Sequence, residues 1–450
     1  MLESPAGLAL SETEIVALHL IHERRIMGKA SLWAPWLAVQ PSTFSTTMYW
    51  DEEELALLQG SNLLGVTTTF VDNLKRDYEQ RIKPAVAKFA HLWTPSAAAA
   101  AAKAAAIAAA GAVDDGSAAK VSFSSASDAG DDIHGTNTLD VSDESSSAGQ
   151  SLRTAETAAD GVVTWEEMKW GLNMVFSRAF DVQWKGEVRR ILVPFADMFN
   201  YAEGGQLAGF FVDRATDSFM LTTSGSGVVP SGRQMYVNYG SFNSLRSNDD
   251  LLHQYGFVLD PNPFSTVKVN LYLGQQGGKP EDWDLKNHIL TRSNLKVGRE
   301  QSYIIKANHH NRLESDLLLA MRILLLDGEE EMALFGKALA GKSVSSRNDR
   351  QVYQTLVAAF QAMLDAYPDE IDEDEETLSA VKEKRTMAWQ EHQNSIKGVT
   401  DTEGHSGTVQ ISGSLQRLEN NYNALVVRLG EKKILLSHIE MLEDKLSTLS

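Results

Sequence analysis

The chain contains no cysteine among its 450 residues. That absence excludes disulfides, thiolate zinc sites and a cysteine nucleophile together, so any chemistry must come from oxygen and nitrogen groups or from a bound cofactor. Positive charge is also short, with 41 Lys and Arg against 60 Asp and Glu and a formal net charge of -19. A general nucleic-acid binder needs clustered cations to neutralise phosphates, so this balance argues against one and favours basic or neutral partners. No uninterrupted apolar stretch approaches the roughly 18 to 20 residues of a membrane span. Met1 to Leu10 also lacks a basic segment followed by an apolar one. The expectation is a soluble, cytoplasmic chain with neither a nucleic-acid nor a membrane partner. What is present is 43% hydrophobic residues, ample for two cores in a chain longer than one core usually organises.

Helix starts are marked locally. Ser11 with Glu14, and Asp51 with Glu54, have the capping-box spacing ahead of apolar residues. From Thr164 to Phe180, the residues Trp165, Met168, Leu172, Val175 and Phe176 recur at helical spacing. Short strand-like runs follow at Arg190 to Pro194, Gly209 to Val212, Phe219 to Thr222 and Gln234 to Tyr239, separated by Gly, Ser and Pro turns. Val267 to Leu273 alternates like one more strand, and the remainder reads as helix, with apolar faces on Leu317, Met321 and Leu324 and on Leu435, Ile439, Leu442 and Leu446. Between about 95 and 161 an alanine run passes into Ser, Asp, Gly and Thr, a composition that cannot offset its own ordering entropy and predicts a disordered insertion. The acidic run Asp369 to Glu376 is expected to be a solvated loop between helices. His309 and His310 are adjacent rather than spaced for one helix face, and no His-Glu-x-x-His pattern occurs, so no metal site is expected.

Two segments carry a resemblance. RILVPFADMFNYA, from Arg190 to Ala202, resembles a strand ending in an Asp-x-x-Asn-His turn, and YVNYGSFNSLRSNDDLLHQYGFVLDPNP, from Tyr236 to Pro263, resembles a Tyr-Gly, Ser-Asn, Tyr-Gly-Phe, Asn-Pro signature. Together, in this order and at this separation, they resemble SET-domain protein methyltransferases of the Rubisco large-subunit methyltransferase type. Ser31 to Gly60 and Thr164 to Phe180 look like that family's helical insert, and the helices ending in RLGEKKILLSHIEML from Arg428 look like its substrate-binding domain.

The resemblance implies an α+β fold: a SET-domain β-fold over 1–264 with a helical insert, then an all-α substrate-binding domain over 265–450. It implies S-adenosyl-L-methionine as cofactor and a protein lysine side chain as methyl acceptor. Carried over position by position, Tyr239 matches the catalytic tyrosine that orients the amine. Arg178 matches the contact to the cofactor's amino-acid portion, where a guanidinium suits a carboxylate. Asp197, Met198, Phe199, Asn200 and Tyr201 match the turn that receives the cofactor, although Tyr201 stands where the family usually has His. Tyr255, Gly256 and Phe257 match a strand that lies against the donor. Phe180 and Arg246 are assigned to the acceptor side, and Phe180 favours lysine, because lysine-modifying relatives carry an aromatic there and the actin-histidine enzyme carries Asn.

In the family a Gly-x-Gly stretch precedes the first helix and wraps the donor, whereas this chain starts at Met1 just ahead of that helix. Gly225 and Gly227 form a Gly-x-Gly, but between strands, and read as a turn. The expectation is therefore a donor site incomplete at its beginning. A catalytically silent adaptor with a partner-binding helical domain and a histidine methyltransferase stand as the alternatives.

Overall fold

The computed structural model describes residues 10–93, 162–202, 207–216, 218–223, 229, 231–239, 246–272, 280–293, 295, 300–307, 313–403 and 412–449. The expected insertion at about 95–161, the turn at Gly225 and Gly227, and His309 and His310 lie outside the described residues. The chain divides into two compact units, one of 1–44, 69–245 and 391–411, the other of 45–68, 246–390 and 412–450.

In the first unit, the helix Glu12–His22 starts where Ser11 and Glu14 complete a reciprocal capping box, and Trp165–Arg178 starts on the same device at Thr164 and Glu167. These helices pack closely because Gly171 brings its backbone against Ala17, where an added Cβ would meet the Ala17 carbonyl at 2.8 Å. Leu20, Ile21, Met168, Leu172 and Met174 fill the interface with Trp36, Tyr78, Ile82 and Trp170. The Tyr78 hydroxyl is buried yet satisfied, donating to the Val163 carbonyl at 2.7 Å.

The strands of this unit follow the helix directly. β1 (Phe180–Trp184) and β2 (Glu187–Ile191) form an antiparallel hairpin, with Phe180 opposite Ile191. β3 (Asn200–Tyr201), β4 (Leu207–Asp213), β5 (Ser218–Thr223) and β6 (Tyr236–Val237) form a sheet ordered β3-β6-β4-β5. β6 runs parallel to both β3 and β4, and β4 and β5 are antiparallel. Two expected strands are thus shorter or displaced: β2 ends at Ile191 rather than running to Pro194, and only Tyr236–Val237 of the run to Tyr239 is paired. Pro194 has no N–H to give a ladder, and the chain there turns into a 3-10 turn at Ala196–Met198.

The second unit is helical apart from one hairpin, β7 (Thr266–Tyr272) against β8 (Glu300–Lys306). β8 escapes the sequence pattern because, among its described side chains, Tyr303 and Ile305 alone are buried. Its main core joins Val267, Val269 and Ile305 to Leu317, Met321, Leu356, Phe360, Leu435, Ile439 and Leu442. The acidic run is mostly exposed, as expected, but from Ile371 it is helix rather than loop. The helix Ile371–Glu403 begins inside it, so its carboxylates crowd a helix N-terminus, where the dipole favours them. Asp374 is buried there, ion-paired with Lys432 at 2.6 Å and hydrogen-bonded by Arg428. Arg428 also pairs with Asp369 at 2.7 Å. No helix among the described residues is long and apolar enough to cross a membrane.

Candidate functional site

In the first unit, the end of the Trp165–Arg178 helix, the turn at 196–200 and the segment after β6 place several of the sequence-selected side chains together. Arg178, in the helix's last turn, donates from Nη1 to the Asp197 carbonyl at 3.1 Å and to Asp197 Oδ2 at 3.4 Å. The Asp197 side chain is fully buried and that of Arg178 is 12% exposed. Burial pushes the Asp197 carboxyl above its ordinary value, while the Arg178 charge and the Trp36 hydrogen bond pull the other way.

The turn continues through Met198 and Phe199 to Asn200, which opens β3 opposite Tyr236. Phe195 precedes it with φ of 74°, a left-handed backbone that costs a bulky residue energy, and its ring is mostly exposed. Tyr239 lies just after β6, and its hydroxyl donates to the Phe199 carbonyl at 2.8 Å. The Tyr201 ring, buried, lies 5.5 Å from that of Tyr239. Parallel pairing of Tyr201 with Val237 accounts for this approach, because it carries both strands to one end. Phe180 opens β1 and packs edge-on against Phe210 at 5.0 Å and tilted against Phe219 at 5.1 Å, making an aromatic cluster on the hairpin and β4–β5.

One contributor has no counterpart in the sequence reading. Trp36, on the short helix Ala34–Ala38, donates its indole N–H to both Asp197 oxygens at 3.2 and 3.1 Å. Nothing local in the sequence links positions 36 and 197. The only hint was the aromatic density of the Ser31 to Gly60 segment.

The remaining selected residues belong to the second unit. Tyr255 ends the helix Asn248–Tyr255 and Gly256 is its left-handed cap at φ 82°, so Tyr255 to Phe257 is a helix end rather than the expected strand. A Cβ at Gly256 would lie 2.7 Å from the Ser45 backbone, so only glycine fits both the turn and the close approach. The Tyr255 and Phe257 rings are 6.4 Å apart, and the Arg246 guanidinium lies 6.0 Å from the Tyr255 ring. His253, in the same helix, meets Thr47 at 2.9 Å, and burial lowers its basicity.

The donor set fits the carboxylate of the expected cofactor. Arg178 spends only Nη1 on described residues, so its other donors and its charge suit a ligand carboxylate. No group of His, Asp or Glu among the described residues is arranged to hold a metal ion.

Residues 282–435 match the family described as Rubisco LSMT substrate-binding. The chain is 20% identical over 377 residues to the actin-histidine N-methyltransferase of Homo sapiens, covering 81% of this chain and 50% of that protein. It is 22% identical over 385 residues to the chloroplastic fructose-bisphosphate aldolase-lysine N-methyltransferase of Arabidopsis thaliana, covering 82% of this chain and 62% of that one. The chain thus spans about half the length of the curated actin-histidine relatives it matches. Among solved structures, the SET domain of LSMT bound to lysine and AdoHcy matches at a TM-score of 0.60 and 20% identity, over 98% of this chain and 77% of that one. Rubisco LSMT bound to AdoMet matches at 0.55 and 20%, over 97% and 76%. The chain thus has the α+β fold of the LSMT SET-domain structures, and its residues 282–435 match the Rubisco LSMT substrate-binding family.

Proposed function

We propose that this chain is an S-adenosylmethionine-dependent protein methyltransferase whose acceptor is a lysine side chain of a non-histone protein. The observation that carries the reading is the tie between Tyr239 and the 197–200 turn, with Arg178 anchored on that same turn. When bound, S-adenosylmethionine supplies a sulfonium methyl for in-line displacement and leaves as S-adenosylhomocysteine. The chain's own residues have three tasks. Arg178 binds the donor's carboxylate with the nitrogens that Asp197 leaves over. Tyr239 orients the acceptor nitrogen, its hydroxyl already fixed by the Phe199 carbonyl. The aromatic cluster of Phe180, Phe210 and Phe219 disfavours a charged ammonium and so promotes the neutral, nucleophilic amine.

A histidine acceptor is the second reading, favoured by the likeness to actin-histidine N-methyltransferases. The aromatic Phe180 supports lysine, on the resemblance stated above, which pairs an aromatic at this position with lysine acceptors. The test is transfer of a labelled methyl group from S-adenosylmethionine to proteins of a demethylated extract, with the modified residue read by mass spectrometry. Label on lysine supports the proposal; label on histidine alone replaces the acceptor. No transfer together with no donor binding leaves an adaptor that holds a protein partner through the 282–435 domain.

A further inference from the structure

We infer that Trp36 is a positioning residue of the donor site: its indole N–H fixes the Asp197 carboxylate, and that carboxylate with its own carbonyl sets the direction of the Arg178 guanidinium. The inference rests on the donor-site reading above and adds a member that no motif contains.

The geometry forms a chain of contacts through one buried carboxylate. Trp36 is 8% exposed, and its single donor is shared between both Asp197 oxygens at 3.2 and 3.1 Å. Arg178 reaches the same residue twice from one nitrogen, at its carbonyl and at Oδ2. A shift of Asp197 therefore turns the guanidinium, and of the two side-chain donors the indole lies closer to the carboxylate, at 3.1 Å against 3.4 Å. Trp36 is itself held from behind, with the Trp33 ring edge-on at 6.5 Å. A core tryptophan usually finds some acceptor for its N–H, commonly a backbone carbonyl. Trp170 in the same core does so, donating to Pro41 at 2.9 Å. Trp36 instead meets an ionisable side chain that is itself buried.

The electrostatics give the inference its signature. Burial opposes the charged form of Asp197, and Arg178, from the Trp165–Arg178 helix, is the charged group facing it among the described residues. Trp36, from the Ala34–Ala38 helix, supplies the second opposing contribution. Removing the indole N–H raises the affinity of Asp197 for a proton, so the carboxylate neutralises at a higher pH and Arg178 loses its anchor there first.

The test replaces Trp36 in the full chain with benzothienylalanine, which keeps the bicyclic shape and lacks the N–H. Binding of S-adenosylhomocysteine is measured by calorimetry at neutral and acid pH, alongside the unfolding midpoint without ligand. The expected result is about tenfold weaker binding at neutral pH, the loss of one charge-assisted hydrogen bond, with a larger loss at acid pH and no comparable loss when Trp170 receives the same replacement. Asp197→Asn, which keeps the shape without the charge, is expected to weaken binding with no dependence on pH in this range. Unaltered affinity in the Trp36 replacement at both pH values, or in Asp197→Asn, overturns the role of Trp36. Absence of binding by the unaltered chain instead overturns the donor-site reading itself.

Discussion

The Tyr239 hydroxyl donates to the Phe199 carbonyl at 2.8 Å, tying the residue after β6 to the turn that ends at β3. The bond joins positions 40 residues apart in the chain, and it fixes an oxygen that would otherwise swing with the tyrosine ring. Tyr239→Phe keeps the ring and removes the donor. Transfer is expected to fall at least about a hundredfold through lost orientation of the acceptor, while S-adenosylhomocysteine affinity stays within about twofold. Stability is expected to fall by only about 1 kcal/mol, the net worth of one neutral hydrogen bond. Parallel kinetics, calorimetry and urea unfolding separate the three.

Gly256 is expected to tolerate no side chain. Its φ of 82° and the 2.7 Å approach of the Ser45 backbone act together, so Gly256→Ala costs both the left-handed conformation and a backbone collision. A loss above about 2 kcal/mol is expected, read from the shift of a denaturant midpoint.

Asp374 holds two buried cations, Arg428 and Lys432, at one point of the second unit. Asp374→Ala leaves both without their shared anion, and a loss of about 3 to 5 kcal/mol is expected. Asp374→Asn keeps the shape and is expected to cost nearly as much, because the charge rather than the volume is removed. Chemical unfolding of the two variants against the parent checks this.

Glu431 gives a pH dependence with a definite sign. Burial pushes its carboxyl up to about 8, although Ser61 at 3.0 Å and Tyr367 at 2.9 Å both donate to it. Its folded-state value lies above the ordinary carboxyl value of 4.5, so the folded chain holds a proton that the unfolded chain has released. Its contribution to stability is full below that lower value and is lost as pH rises towards about 8. The decline is about 1.4 kcal/mol for each tenfold fall in proton activity within the window. Glu431→Gln is expected to flatten this part of the stability profile and to be the more stable protein at alkaline pH. An unchanged slope in urea titrations across the window contradicts the assignment.

What the sequence reveals is mainly what neighbouring residues decide. Ser11 with Glu14 and Asp51 with Glu54 announce two helices, and each pair makes both bonds of its capping box. Such signals span a single turn, so they survive without knowledge of the fold. The Asp-x-x-Asn turn and Tyr239 were selected by resemblance, and their contact through Phe199 needed the parallel pairing of β3 with β6, which no local pattern encodes. Trp36 was missed for the same reason, its partner lying 161 residues away. The acidic run is mostly exposed, as charge density suggests, but Asp374 is the exception, buried against cations that come from another helix. Tyr255 to Phe257 misled in a different way: an aromatic pair about a glycine suits a strand, but φ of 82° at Gly256 makes it a helix cap.

The most direct test is calorimetric titration of the full chain and of Arg178→Met with S-adenosylmethionine. One-to-one binding by the unaltered chain, weakened at least about tenfold when the guanidinium is removed, is the expected result. Equal heats of binding in the two proteins, or none in the unaltered chain, contradict a donor site built on Arg178 and the Asp197–Asn200 turn.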